Sequence, residues 1–221
     1  MTVRIAILGA NGVYARHLIP RLAASGHQVR ALVRRPEAAV VASACAADIR
    51  VADIFDTDAL RAGLEGCDVC VNLATSLPGP SGRGDFAVND RVRREGVPLL
   101  VDACRGAGVG RLLQQSISWV GASGETLADE VAVFTSSSDD IGGRAVAALE
   151  AWPSRKTMIV ADDTPVRWRD LFGYVAALAG AAAPEPGGQA RLPSFRMSNG
   201  LARATLNWAP RYPDYRSGLV R

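Results

Sequence analysis

Val3-Arg4-Ile5-Ala6-Ile7-Leu8 runs directly into Gly9-Ala10-Asn11-Gly12-Val13-Tyr14-Ala15, and from there into a stretch whose apolar residues recur at helical spacing. A short apolar run bounded by glycine reads as a buried strand. Val13, Leu18, Ile19, Leu22 and Ala23 then mark one face of a helix, which Ser25-Gly26-His27 stops with glycine at its end. Strand, glycine turn and helix in this order make an entrance for an anion. Gly9 permits the tight turn, Gly12 lets backbone approach a phosphate, and the small Ala15 lets the helix pack close to the strand. The helix N-terminus adds free N–H groups and a partial positive charge. A glycine-rich turn without a ligand is the plainer reading, and the strand-to-helix context argues against it.

Outward from this stretch, hydrophobic pattern and breakers alternate between the two periods. Strands are expected over 3–8, 28–33, 48–51, 68–73 and 111–116, with helices over 12–25, 37–44, 57–63 and 87–107. Such alternation builds a parallel sheet covered on both faces, a Rossmann-like, doubly wound α/β fold. Within a single domain, residues 1–125 are expected to form a dinucleotide-binding core. Residues 126–221 form a shortened C-terminal lobe that completes the sheet and a substrate pocket. In that lobe the pattern predicts strands over 131–134 and 156–160, helices over 141–150, 168–179 and 198–206, an Ala/Pro/Gly-rich linker over 181–193, and an irregular tail from Trp208 to Pro213. The loop over 76–85 leaves the carboxyl edge of the sheet, where open α/β folds bind ligands.

Composition narrows the function classes. With 221 residues, 48% of them hydrophobic, the chain can bury a full core. The net charge of +3 comes without a basic run or interleaved aromatics, which argues against a nucleic-acid partner. No apolar signal segment opens the chain and no run of eighteen apolar residues exists, so a cytoplasmic protein without a membrane partner is expected. Cys67-Asp68-Val69-Cys70 has metal or redox spacing, yet it runs from a turn into a strand whose side chains alternate faces, and no second pair completes a zinc site. A structural role fits these cysteines better. His17 and His27 lie away from any nucleophile, which disfavours a Ser-His hydrolase.

The second strand ends Ala31-Leu32-Val33-Arg34-Arg35, where a site for NAD would place Asp or Glu against the ribose 2′-hydroxyl. Arginine there can grip a 2′-phosphate, so NADP(H) is favoured over NAD(H). The plainer alternative is a pair of solvated surface arginines. Asp53 after the third strand and Asn72-Leu73-Ala74 after the fourth fall where the two halves of a dinucleotide would lie. The residues expected at the cofactor are Gly9, Asn11, Gly12, Val13, Arg34, Asp53, Ile54, Leu73 and Ala74.

Several of these segments resemble the extended short-chain dehydrogenase/reductase family in its epimerase/dehydratase branch. The resemblance rests on Ile5 to Arg35, Asp53, Asn72-Leu73-Ala74, Arg93-Arg94-Glu95-Gly96, Val101 to Val109 and Gln115-Ser116-Ile117-Ser118-Trp119-Val120-Gly121. It resumes in Asp139-Asp140-Ile141, Ala161 to Val166 and Ser198 to Pro213, which look like substrate-lobe segments of that branch. The resemblance implies an NAD(P)-binding fold, and it identifies Ser116 as the match to the family's active-site serine.

Two departures qualify the activity it implies. Ala15 stands for the third glycine of the fingerprint, a mild change. After Gly121 a block of several tens of residues is missing relative to the family, including the helix that carries Tyr-x-x-x-Lys. Lys156 is the single lysine, and Trp152 stands four residues before it. In such reductases the tyrosine hydroxyl exchanges a proton with substrate oxygen, while the lysine lowers its pKa. A lone serine hydroxyl orients a carbonyl but cannot readily protonate an alkoxide.

Candidate catalytic residues are therefore Ser116, Asp85 and Asp129, with Glu130, Asp139 and Asp140 as further carboxylates. Solvated loop positions account equally for Asp129 and Glu130, and a helix N-cap accounts for Asp139-Asp140. Ser118 and Trp119 are expected at the substrate pocket, although core packing also suits Trp119. Three classes of function follow: a non-redox cyclisation, dehydration or isomerisation of a small, largely apolar metabolite; reduction by NADPH with Ser116 and water; and a non-catalytic dinucleotide sensor or partner subunit. The missing proton donor favours the first, with the cofactor bound or its groove vestigial. Oligomeric state stays open.

Overall fold

In the computed structural model, residues 2–77, 85–116, 127–128, 157–187 and 196–219 are described. They divide between two compact units, the first ending at Ser116 and the second drawn from residues beyond it. The first unit opens with β1 (Arg4–Leu8), α1 (Val13–Ala24) and β2 (Gln28–Val33), and continues with α2 (Val40–Ala44), β3 (Asp48–Val51) and α3 (Thr57–Leu64). It then crosses to β4 (Val69–Asn72), α4 (Phe86–Arg91), α5 (Val97–Gly106) and β5 (Arg111–Gln114). All four pairings are parallel, in the order β3-β2-β1-β4-β5. The chain steps outward from β1 to β3, returns to the far side of β1, and steps outward again. The doubly wound sheet expected from the sequence is thus formed, and its switch point lies between β1 and β4.

Strand periodicity sorts the core into two layers. Ala6, Leu8, Leu32 and Cys70 face Leu60 and Leu64 of α3 and Leu100, Ala103 and Cys104 of α5, all buried. Ile5, Ile7, Val29, Ala31 and Val33 point to the other face, where Ala15, Ile19 and Leu22 of α1 are buried as well. Asp56 caps α3 by accepting from Ala59 N–H at 2.9 Å. The cysteines are free thiols, with Cys67, Cys70 and Cys104 buried. A hydrogen bond to Cys104 together with full burial pushes the Cys70 thiol well above its ordinary range. Among the described residues no group of three or more His, Cys, Asp or Glu side chains could hold a metal ion.

The long helix expected over 87–107 is continuous but not uniform. Between α4 and α5 the segment Val92–Gly96 widens to π geometry, and at Gly96 a Cβ would come within 2.9 Å of Ile54. Glycine there is what lets the helix sit against the turn after β3. The helix expected over 37–44 is broken into a 3-10 turn, Pro36–Ala38, and the short α2, with the break at Ala39, whose ψ of 39° leaves the helical region.

In the second unit, β6 (Leu127–Ala128) pairs parallel with β7 (Arg196–Met197), and α6 (Trp168–Leu178) and α7 (Gly200–Leu206) match the helices expected there. One expectation is corrected: residues 157–160 form no strand, with Met158 buried, Ile159 half-buried and Val160 exposed. The tail over 208–213 is irregular as expected, and beyond it α8 (Tyr215–Leu219) begins after Asp214, whose carboxylate accepts from Ser217 N–H at 2.7 Å. The expected elements over 131–134 and 141–150 lie outside the described residues. Asn199 is buried and donates to the Ala161 carbonyl at 2.9 Å and to the Asp163 carboxylate at 2.8 Å, while Arg203 donates to both oxygens of that carboxylate. These bonds to Asn199 and Arg203 hold the Asp163 carboxyl below its usual range. They tie together two segments that carried the family resemblance.

Gly96→Ala is expected to lower the unfolding free energy by about 1–3 kcal/mol, because the added methyl meets the Ile54 side chain in a packed core. Denaturant melts should show the loss shrinking in an Ile54→Ala background; a loss unchanged there would place the strain elsewhere.

Candidate functional site

Carboxyl ends of β1, β2 and β4 converge on the turn that follows β1. Gly9 sits at φ +79°, and a Cβ there would stand 2.8 Å from the Ala74 nitrogen and 2.9 Å from the Leu73 carbonyl carbon. Those neighbours are backbone and cannot swing away, so any larger residue forces the two strand exits apart. Gly12 caps α1 in extended conformation and donates to the Gly9 carbonyl at 2.9 Å. A Cβ at Gly12 would lie 3.1 Å from that carbonyl oxygen. No side chain caps α1 and no acidic residue occupies its first turn. Its leading N–H groups therefore point outward with their partial charge uncompensated, which suits an anion. Ala15 is fully buried against the sheet, while Val13 and Tyr14 are largely exposed on the approach to the turn.

The remaining cofactor candidates distribute around this turn. Arg34 is exposed at the exit of β2. Asp53 is half-buried after β3 and turns its carboxylate to Phe55 N–H at 3.0 Å. Ile54 is buried, and its side chain is committed to packing on Gly96. Leu73 and Ala74 carry the β4 exit past Gly9: Leu73 N–H donates to the Leu8 carbonyl, and Ala74 N–H to Asn72 Oδ1 at 3.0 Å. A cleft of about 280 Å³ opens between the turn and the segment after β2, lined by Ala10, Asn11, Arg16 and residues 38–41.

Two buried asparagines hold the neighbouring strand ends: Asn72, read from the sequence only as part of the segment beside the dinucleotide, and Asn89, which sequence reasoning did not single out. Asn72 is fully buried at the end of β4 and donates to Gln114 Oε1 at 2.8 Å across to β5. Asn89 is buried in α4 and accepts from Thr75 Oγ1 at 2.9 Å and Ser76 N–H at 3.3 Å. Their signal was present: Asn72 closes an otherwise apolar strand, Val-Cys-Val-Asn, and a polar residue there must find partners.

The catalytic candidates fare differently. Asp85 caps α4, its carboxylate accepting from Ala87 N–H at 2.7 Å while its own N–H donates to the Ser76 carbonyl. That bond closes the loop 76–85 at its ends and occupies Asp85 in capping. Ser116 lies two residues past β5; among the described residues its Oγ and the neighbouring Gln115 Oε1 are buried without a hydrogen-bond partner. Asp129, Ser118 and Trp119 lie outside the described residues, as do Glu130, Asp139 and Asp140.

Comparison with known proteins bears on this geometry directly. The family model described as NAD(P)H-binding matches residues 9–147, beginning at the glycine that the switch point requires. The chain belongs to this NAD(P)H-binding family. A 3-diazoavenalumate denitrifying reductase from Streptomyces sp. is 36% identical over 159 residues, covering 67% of this chain and 50% of the relative. A 4-hydroxy-2-methyl-3-oxo-4-farnesyl-3,4-dihydroquinoline-1-oxide ketoreductase from Stigmatella aurantiaca is 32% identical over 125 residues, or 57% of this chain and 36% of that protein. The chain thus spans half or less of the length of these relatives. Among solved structures, a candidate epimerase from Burkholderia cenocepacia J2315 superposes with a TM-score of 0.73 over 94% of this chain and 93% of its own, at 16% identity. That likeness concerns the fold alone, and it agrees with the doubly wound α/β fold read from the residues. No helix among the described residues is long and apolar enough to cross a membrane.

Asn72→Ala should leave the Gln114 amide and the Ala74 N–H short of a partner and cost about 1–3 kcal/mol of stability. In urea melts, Gln114→Ala should then cost less in that background than alone; additive losses would mean that the two amides act independently.

Proposed function

We propose that the chain is an NADPH-dependent reductase of a small, largely apolar substrate, with Ser116 orienting the group to be reduced. The observation that carries this reading is the buried, unpartnered Ser116 hydroxyl at the end of β5, in the same sheet whose switch point is shaped for a dinucleotide. A buried hydroxyl without a partner costs free energy unless something completes it, and a substrate oxygen is a fitting partner. The two relatives named as reductases support the redox reading over the non-redox step that the missing Tyr-x-x-x-Lys suggested.

Residues of this chain divide the work as follows. Gly9, Gly12 and the N–H groups of Val13 and its neighbours receive the pyrophosphate, and Asn11 borders it. Arg34 favours the 2′-phosphate, and the backbone of Leu73 and Ala74 passes beside the nicotinamide half. NADPH, when bound, supplies the hydride. Ser116 Oγ donates to the substrate oxygen and holds it in place. Its own pKa is far too high for it to serve as the acid, so the proton that completes the alcohol comes from water or from the substrate. The single lysine, Lys156, has Trp152 rather than tyrosine four residues before it, and this keeps the non-redox reading as the second choice.

Incubation of the full chain with NADPH and a panel of ketones, enones and quinones tests the reading. Reduced product should form in step with loss of the nicotinamide absorbance, and Ser116→Ala should lower kcat about 100-fold while leaving NADPH affinity intact. Product without NADPH consumption would move the protein to the non-redox class, and binding without any turnover would make it a sensor. Separately, Arg34→Ala should weaken NADPH more than NADH in titration calorimetry; equal losses would refute the 2′-phosphate assignment.

A further inference from the structure

We infer that Arg16, on the first turns of α1, is a determinant of selectivity for the phosphorylated adenosine half of the cofactor. The inference rests on the dinucleotide reading above and extends it to a residue outside the glycine fingerprint and the end of β2.

The cleft beside the glycine turn has about 280 Å³, close to the lower end of the roughly 300–1,000 Å³ that holds small ligands, and so suits one half of a dinucleotide. Its walls are chemically unequal. The segment 38–41 contributes only alanine and valine, while the remaining described lining is Ala10, Asn11 and Arg16. Among the described residues, Arg16 is the one charged residue lining this cleft, and no carboxylate lines it. Arg34 is not among the lining residues. An apolar wall facing a cation and an amide fits a purine ring that carries a phosphorylated sugar.

Electrostatics of α1 point the same way. A cation near a helix N-terminus is disfavoured by the macrodipole, and the first turn of α1 has no acidic residue to offset it. Arg16 and the uncapped N–H groups together leave an excess of positive potential at one end of the cleft. The pyrophosphate answers the N–H groups. A second anion, the 2′-phosphate, answers Arg16. Arginine suits this role because its fork of donors meets two phosphate oxygens at once.

Titration calorimetry on the full-length chain decides the point, with NADPH, NADH, adenosine 2′,5′-bisphosphate and 5′-AMP as ligands. Arg16→Met keeps the length of the stem and removes the charge. Because Arg16 is exposed, folding should be retained, which circular dichroism checks. The expected result is a loss of about tenfold or more for NADPH and for the bisphosphate, little change for NADH and 5′-AMP, and partial recovery in Arg16→Lys. Equal losses for NADPH and NADH would place Arg16 on the pyrophosphate and overturn the inference while leaving the dinucleotide reading intact. Unchanged binding of all four ligands would overturn it likewise. A wild-type chain that binds neither dinucleotide would overturn the cofactor reading itself, and the inference with it.

Discussion

Close backbone contact between the turn after β1 and the exit of β4 is the constraint on which the nucleotide end of this protein depends. Gly9 adopts a positive φ, and a Cβ there would collide with the main chain of Leu73 and Ala74. This contact sets the spacing of the two strands at the switch point, and with it the direction in which α1 leaves the sheet. Because both partners are backbone, no rotamer change can relieve an intruding side chain. The second glycine, Gly12, then keeps the helix start bare of side chain and open to an anion.

Buried polar groups complete what the glycines begin. Asn72 joins β4 to β5 and satisfies the Ala74 N–H, so the turn beside Gly9 is held by a hydrogen bond rather than by packing alone. Asn89 holds the start of the loop that follows, and Asp85 closes its end. A low-dielectric setting makes each of these bonds costly to leave unmade. Ser116 is an exception, a buried hydroxyl with no partner among the described residues, and the proposed chemistry is centred on it.

Much of the fold was legible because strand and helix periods alternate cleanly through residue 116. The five strands fall where hydrophobic runs end in glycine or polar residues, and their parallel pairing follows from the alternation, while the order β3-β2-β1-β4-β5 is visible only in the structure. Beyond that point the pattern weakened. Residues 157–160 look like a strand because three of the four are apolar, yet Met158 alone of the four is buried and they form no ladder. The turn that starts α8 depends on the Asp214–Ser217 exchange, a local bond that apolar periodicity does not report.

Sequence by itself determined the strand–turn–helix entrance, the family, the absence of a Tyr-x-x-x-Lys pair and the list of residues able to meet a dinucleotide. It could do so because glycine spacing and hydrophobic period are local properties of the chain. Tertiary structure alone decided which of those residues are free to act. It committed Ile54 to Gly96, spent the Asp85 carboxylate on a helix cap, buried Asn72 between two strands and set Arg16 on the wall of a cleft. Each of these outcomes depends on which segments meet across the sheet, and spacing along the chain does not encode that.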